Sequence, residues 1–191
     1  MVNFFGRFLV HFTLADLVTD ITQNAVEAGA KTVELEVTEN DKEFRFLVKD
    51  NGKGMTKEEL NRAIDPFVTD GIKHPNRKVG LGLPFLIQTA EQSNGGWDIK
   101  SEKGVGTTVE AWFDIKNVDI PPTGDVCGMF RTILMFESNA EIILRRKKLK
   151  GGAEDEYEIV KSEIEEALGS LQDVGSLVLL GEYLQSLESE E

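Results

Sequence analysis

The stretch Phe44-Arg45-Phe46-Leu47-Val48-Lys49-Asp50-Asn51-Gly52-Lys53-Gly54-Met55 sets the frame for the whole chain. Phe44, Phe46 and Val48 alternate with polar residues, so they line one face of a half-buried strand. That strand ends on an acid and two glycines one residue apart. Such glycines let the backbone turn sharply and come close to a flat ligand. An ionised Asp only accepts hydrogen bonds, so Asp50 at the strand end can hold an exocyclic amino group such as that of adenine. Taken alone, an ordinary Asn-Gly turn explains the hexapeptide as well.

Upstream, Val33, Leu35 and Val37 predict a partner strand, joined through the polar stretch Glu39-Asn40-Asp41-Lys42 as a hairpin. Before it, Leu14, Leu17, Ile21, Ala25 and Ala28 recur at helical spacing, with Thr13 and Asp16 placed as a capping box and Gly29 as the terminating glycine. Downstream, Thr56 and Glu59 predict a second box and a short helix to about Ala63. Residues 65–79 show no period and predict a long mobile loop, a feature more often functional than idle. A helix follows over 83–92, then strands over 97–101 and 107–113 around Glu102-Lys103-Gly104-Val105-Gly106. This order predicts an α+β fold: a two-layer α/β sandwich whose mixed sheet has helices on one face. Pro121-Pro122 marks a boundary, so residues 1–118 form one domain and residues 119–191 an acidic α+β extension of helix (126–136), hairpin (141–148 with 156–159) and two helices.

Composition narrows the function. The chain is 40% hydrophobic, ordinary for a globular protein, and no apolar run approaches the ~18 residues of a membrane span. Met1 to Phe12 is apolar but carries Arg7 and predicts a buried first element, not a signal peptide. Cys127 is the single cysteine, which excludes a disulfide framework and a cysteine metal site and leaves a cytoplasmic location as the default. Of the net charge of −13, residues 151–191 hold twelve acids against Lys161, whereas the first 150 residues hold 22 acids against 20 bases. No basic stripe for nucleic acid emerges. The acidic end is either a solvated helix surface or a docking face for a basic partner.

Three further elements bear on chemistry. At about 100° per residue, Asp20, Asn24 and Glu27 share a narrow arc beside the apolar stripe of the first helix. Such an oxygen-bearing rim suits Mg²⁺, which takes few protein ligands and completes its shell with water and phosphates. A polar rim is also commonplace on amphipathic helices. Lys78-Val79-Gly80-Leu81-Gly82-Leu83 opens a helix, where successive backbone N–H groups form an anion site. It is no dinucleotide fingerprint, because Phe85 stands where the third glycine belongs, and Gly29-Ala30-Lys31-Thr32 lacks the earlier glycine of a P-loop. Gly104-Val105-Gly106-Thr107-Thr108 enters the last strand, where a threonine hydroxyl can reach a base edge or a bridging water.

In order, spacing and content these segments resemble the boxes of the GHKL (Bergerat-fold) ATP-binding superfamily of sensor histidine kinases, gyrase B, the large heat-shock chaperone and MutL. Asp20 to Ala30 is similar to the N box and Asp50 to Met55 to the first glycine box. Pro66-Phe67-Val68-Thr69-Asp70 resembles the kinase F box, Gly80 to Leu83 the second glycine box, and Gly106-Thr107-Thr108 the last. The resemblance covers about residues 13–115. It implies ATP and Mg²⁺ as ligands, with Asn24 on the metal, Asp50 on the adenine amino group, and Gly52, Gly54 and Met55 lining the base pocket. Lys78, Gly80, Leu81 and Gly82 then belong to a phosphate-contacting lid and Thr108 supports adenine recognition. Lys73, Arg77 and Lys78 are lid cations able to meet the γ-phosphate.

The pattern also has departures. A sensor kinase carries a dimerisation hairpin with a phosphoaccepting histidine, and neither His11 nor His74 has that context. Asp20 stands where hydrolysing members and the anti-sigma serine kinases place a catalytic Glu, which makes it the candidate general base. The resemblance thus implies a histidine-kinase-like ATPase or protein kinase working on a partner protein. The alternatives are a non-catalytic ATP-dependent switch and, lower, a MutL-like DNA-transaction ATPase.

Overall fold

The computed structural model describes residues 12–67 and 82–189. The expectations for Met1 to His11, for the loop cations Lys73, Arg77 and Lys78, for His74, and for Gly80 and Leu81 lie outside those residues. Helix α1 (Leu14–Glu27) starts at Thr13, whose hydroxyl accepts from the Asp16 N–H while Asp16 accepts from the Thr13 N–H. This reciprocal pair satisfies two of the N–H groups that every helix start leaves orphaned. The helix stops at Ala28, and Gly29 follows at φ +73°, where a side chain would be strained. Strands β1 (Thr32–Asn40) and β2 (Glu43–Asp50) form the hairpin, with Val37 opposite Phe46. Then come α2 (Lys57–Ile64), capped by Thr56 and Glu59, α3 (Gly82–Gln92), β3 (Gly96–Glu102) and β4 (Gly106–Asp114).

The rest of the chain gives α4 (Val126–Leu134), β5 (Glu141–Lys150), β6 (Ala153–Val160), α5 (Lys161–Leu168) and α6 (Val174–Glu188). All six strands make one mixed sheet in the order β3-β4-β2-β1-β5-β6. β5 lies parallel to β1 from Thr32↔Glu141 to Asn40↔Leu149, so residues 119–191 extend the sheet begun by the first segment. The remaining neighbours are antiparallel. The β5–β6 hairpin is longer than its apolar alternation predicts. Its outer turns are held by charge instead, Lys147 to Glu154 and Lys148 to Asp155, a pairing that hydrophobic periodicity does not register.

The sheet's two faces differ sharply. One buries Val33, Leu35, Val37, Phe44, Phe46, Val48, Val109, Ala111, Phe113, Ile142 and Leu144, with α1 and α3 packed on it. The other carries a ladder of ion pairs, Arg45 to Glu110, Lys49 to Glu34, and Arg145 to Glu34 and Glu158, with Arg45 stacked 4.8 Å above Trp112. The architecture is the α+β sandwich that the sequence predicts. α1 packs against α4, and α4 against α6. Among the described residues no helix is long and apolar enough to cross a membrane.

Candidate functional site

The end of β2 is stitched to its surroundings on two sides. Asp50, 8% exposed, accepts the Gly52 N–H at 2.7 Å and is also met by the Thr107 N–H. Burial raises its pKa above the ordinary 3.8, and those two N–H groups oppose the rise by stabilising the carboxylate. The Asn51 side-chain oxygen accepts the N–H groups of Lys31 (2.8 Å) and Thr32 (2.9 Å), while the Lys53 N–H reaches Ala28 O. This half of the loop is pinned to the α1–β1 connection. The other half is pinned to the β3–β4 turn: the Met55 N–H donates to Ser101 Oγ, and the Gly104 N–H to Lys53 O.

Two glycines mark where the backbone comes closest. A Cβ on Gly52 would lie 2.8 Å from Ala28 O, 2.9 Å from Ala28 Cβ and 2.9 Å from Asp50 Oδ1. A Cβ on Gly82 would overlap the Asp20 carboxylate and lie 3.3 Å from Asn24 Nδ2. One flank of α1 therefore meets the start of α3 at Asp20 and Asn24, and one turn further on meets the Asp50 loop at Ala28. Asp20 is half-buried and Asn24 exposed. Glu27, predicted on the same arc, is exposed and accepts a hydrogen bond from Gln23. Gly54, at φ +55°, lies against the backbone of Glu102 and Gly106, so it serves the strand contact as well as the loop.

The register of β4 changes one placement. Thr108 pairs with Lys49 and so faces the ion-pair ladder, away from α1; Thr107 pairs with Asp50 and shares its face. The Thr107 hydroxyl is 2.8 Å from Ser101 Oγ, which also reaches Gly106 O. Asn51 and Thr107 lie inside the boxes without a role assigned to them there, and Ser101 lies outside them. Parity counted back from Phe113, the strand's largest fully buried side chain, is the signal that finds Thr107. Two open surface clefts, of about 350 Å³ around Trp112 and about 290 Å³ around Arg146, are lined by other residues than these.

A family model described as histidine kinase-, DNA gyrase B- and HSP90-like ATPase matches residues 11–117. That is more than half of the chain, and the chain belongs to this family of ATPases. Among curated proteins, it is 29% identical over 108 residues to a putative sensor histidine kinase, NtrY-like, of Rickettsia conorii, covering 54% of this chain and 17% of that one. It is 36% identical over 74 residues to the DNA mismatch repair protein MutL of Thermus aquaticus, covering 39% and 14%. Among solved structures, the catalytic domain of the histidine kinase ThkA aligns with a TM-score of 0.40 at 19% identity, over 52% of this chain and 64% of that one. The matched part is thus a small fraction of the length of the curated relatives.

Proposed function

We propose that this chain binds Mg-ATP along the flank of α1 and delivers the γ-phosphoryl group to water or to a partner protein. The observation that carries it is the double close approach of that flank, to Gly82 at Asp20 and Asn24 and to Gly52 beside Asp50. It draws together groups thirty residues apart that answer different parts of one nucleotide. Asp50 supplies a buried anionic acceptor for the adenine amino group, and Thr107 is the hydroxyl on the same face. Asn24 offers a neutral amide oxygen to Mg²⁺. No cluster of three or more His, Cys, Asp or Glu able to hold a metal exists among the described residues, which suits an ion held chiefly by phosphates and water. Gly52, Gly54 and Met55 fit the wall of a base pocket. Lys78, Gly80 and Leu81 are assigned to the phosphate side by their motif, next to Gly82.

Asp20 is the proposed general base, accepting the proton of the attacking water or acceptor hydroxyl. In phosphoryl transfer most of the catalysis is positioning and charge stabilisation, so a half-buried carboxylate held against Gly82 is more useful than a mobile one. A second reading draws on the packing of α1 on α4 and of α4 on α6: nucleotide binding at α1 would be felt by the acidic end of the chain, as in a switch. A net charge of −13 opposes a DNA-transaction role. Incubation with Mg-ATP separates these outcomes. An enzyme releases or transfers phosphate, and Asp20→Asn abolishes that while nucleotide affinity stays; a switch binds ATP and does neither; absence of binding refutes both.

A further inference from the structure

Helix α6 faces inward with Ser176, Leu180 and Leu184, which lie on one arc of about 80°. The exposed side holds two ridges at i, i+4 spacing, Val174 with Val178 opposite that arc and Leu179 with Tyr183 on its flank, exposed by 78%, 55%, 51% and 40%. Gly175 and Glu182 fall between the ridges. A helix on a protein surface normally turns polar residues outward, and one that is apolar nearly all round is a covered helix. Two adjoining apolar ridges are a patch, not scattered exposure.

Charge identifies what covers it. Four of the five bases of β5 are consumed inside the chain: Arg145 by Glu34 and Glu158, Arg146 by Glu39 and Glu188, Lys147 by Glu154 and Glu156, Lys148 by Asp155 and Glu188. Left over are Glu163, Glu165, Glu166, Asp173 and Glu182, all exposed on or beside α5 and α6, and no base among the described residues makes a salt bridge with them. α5 packs on α6, so the apolar ridges stand in a one-signed field. A second copy would bring the same negative face against itself, and nucleic acid or anionic lipid is repelled likewise.

We propose that the α5–α6 face docks a basic amphipathic segment of a partner protein. Its apolar residues seat on the ridges Val174/Val178 and Leu179/Tyr183, and its Lys or Arg side chains meet Glu182 between the ridges and the acids of α5. This partner class is independent of the nucleotide site.

The test uses the full chain and a fluorescent helical peptide of alternating Leu and Lys faces, with a Leu/Glu peptide of the same pattern as control. A Cβ on Gly175 meets nothing within 4 Å, so Gly175→Arg obstructs the face without disturbing the fold. Val178→Ser with Leu179→Ser removes half of each ridge. The Leu/Lys peptide is expected to bind saturably and more weakly as salt rises, to protect residues 174–183 from hydrogen exchange, and to lose about tenfold in affinity with either variant. Unfolding midpoints and ATP titrations of the variants are expected to match the parent, which separates failure here from failure at the nucleotide site. Unchanged peptide affinity in both variants overturns the proposal. So does a dimer of the parent chain that Val178→Ser with Leu179→Ser dissociates, because the occupant is then a second copy.

Discussion

Adding one methyl group at Gly82 is expected to slow turnover about a hundredfold while leaving the fold and most of the nucleotide affinity intact. An ideal Cβ at this position overlaps the Asp20 carboxylate and lies 3.3 Å from Asn24 Nδ2. The amide has to give by a few tenths of an ångström, but the carboxylate has to swing away. Forcing it off its rotamer costs about 0.5–1.5 kcal/mol. Replacing glycine by alanine in a helix returns up to about 1 kcal/mol, less at a first residue such as this one. Net stability therefore falls by no more than about 1.5 kcal/mol, whereas misplacing a reacting group by about 1 Å costs on the order of a hundredfold in rate. Single-turnover phosphate release from Mg-ATP, read beside calorimetric affinity and a urea unfolding curve, measures all three quantities. Combining Gly82→Ala with Asp20→Asn makes a double-mutant cycle. If both changes act through the same carboxylate, the double variant is no slower than the worse single one. Turnover of Gly82→Ala within about twofold of the parent, at unchanged affinity, refutes the reasoning, since rates so close differ by less than half a kcal/mol in barrier.

Two further outcomes follow from the structure. Thr107→Val removes the hydroxyl beside Asp50 and is expected to weaken ATP about fivefold, the worth of one net hydrogen bond, while Thr108→Val on the far face leaves affinity unchanged; the reverse order in a titration series contradicts the register. Arg146 is 2% exposed between Glu39 and Glu188, and Tyr157 donates a second hydrogen bond to the Glu188 carboxylate. Arg146→Met removes the guanidinium that both largely buried carboxylates share, while Tyr157 and Lys148 still meet Glu188, and is expected to cost about 3 kcal/mol by urea unfolding, so a loss below about 1 kcal/mol would show that the remaining partners and water already serve them.

Much of the nucleotide half is legible in the sequence because its signals are local. Thr13 with Asp16 and Thr56 with Glu59 fix helix starts within four residues, and the alternation of Phe44, Phe46 and Val48 fixes which face of β2 is buried. The face of Thr107 against Thr108 is not local: it depends on how the turn through Gly104 and Gly106 sets β4 against β2. The family resemblance points to the second threonine of the pair, Thr108, which register turns outward. The parallel pairing of β5 with β1 joins residues more than a hundred apart and leaves no mark in either strand's own pattern. The outer half of the β5–β6 hairpin is invisible to a search for apolar period because Lys147, Lys148, Glu154 and Asp155 hold it together. The contacts of Gly52 with Ala28 and of Gly82 with Asp20 are also nonlocal, and the glycines alone do not name their neighbours.

The most direct measurement is a calorimetric titration of ATP with Mg²⁺ into the full chain and into Asp50→Asn, across a range of pH. One saturable site is expected, weakened about tenfold to a hundredfold by Asp50→Asn, the worth of a hydrogen bond to a charged group. Because burial raises the Asp50 pKa, affinity should be full when the carboxylate is ionised and fall with acidification at a pH above the ordinary 3.8. No heat with ATP, or equal affinity in the parent and Asp50→Asn at every pH, would contradict a nucleotide site built on the end of β2.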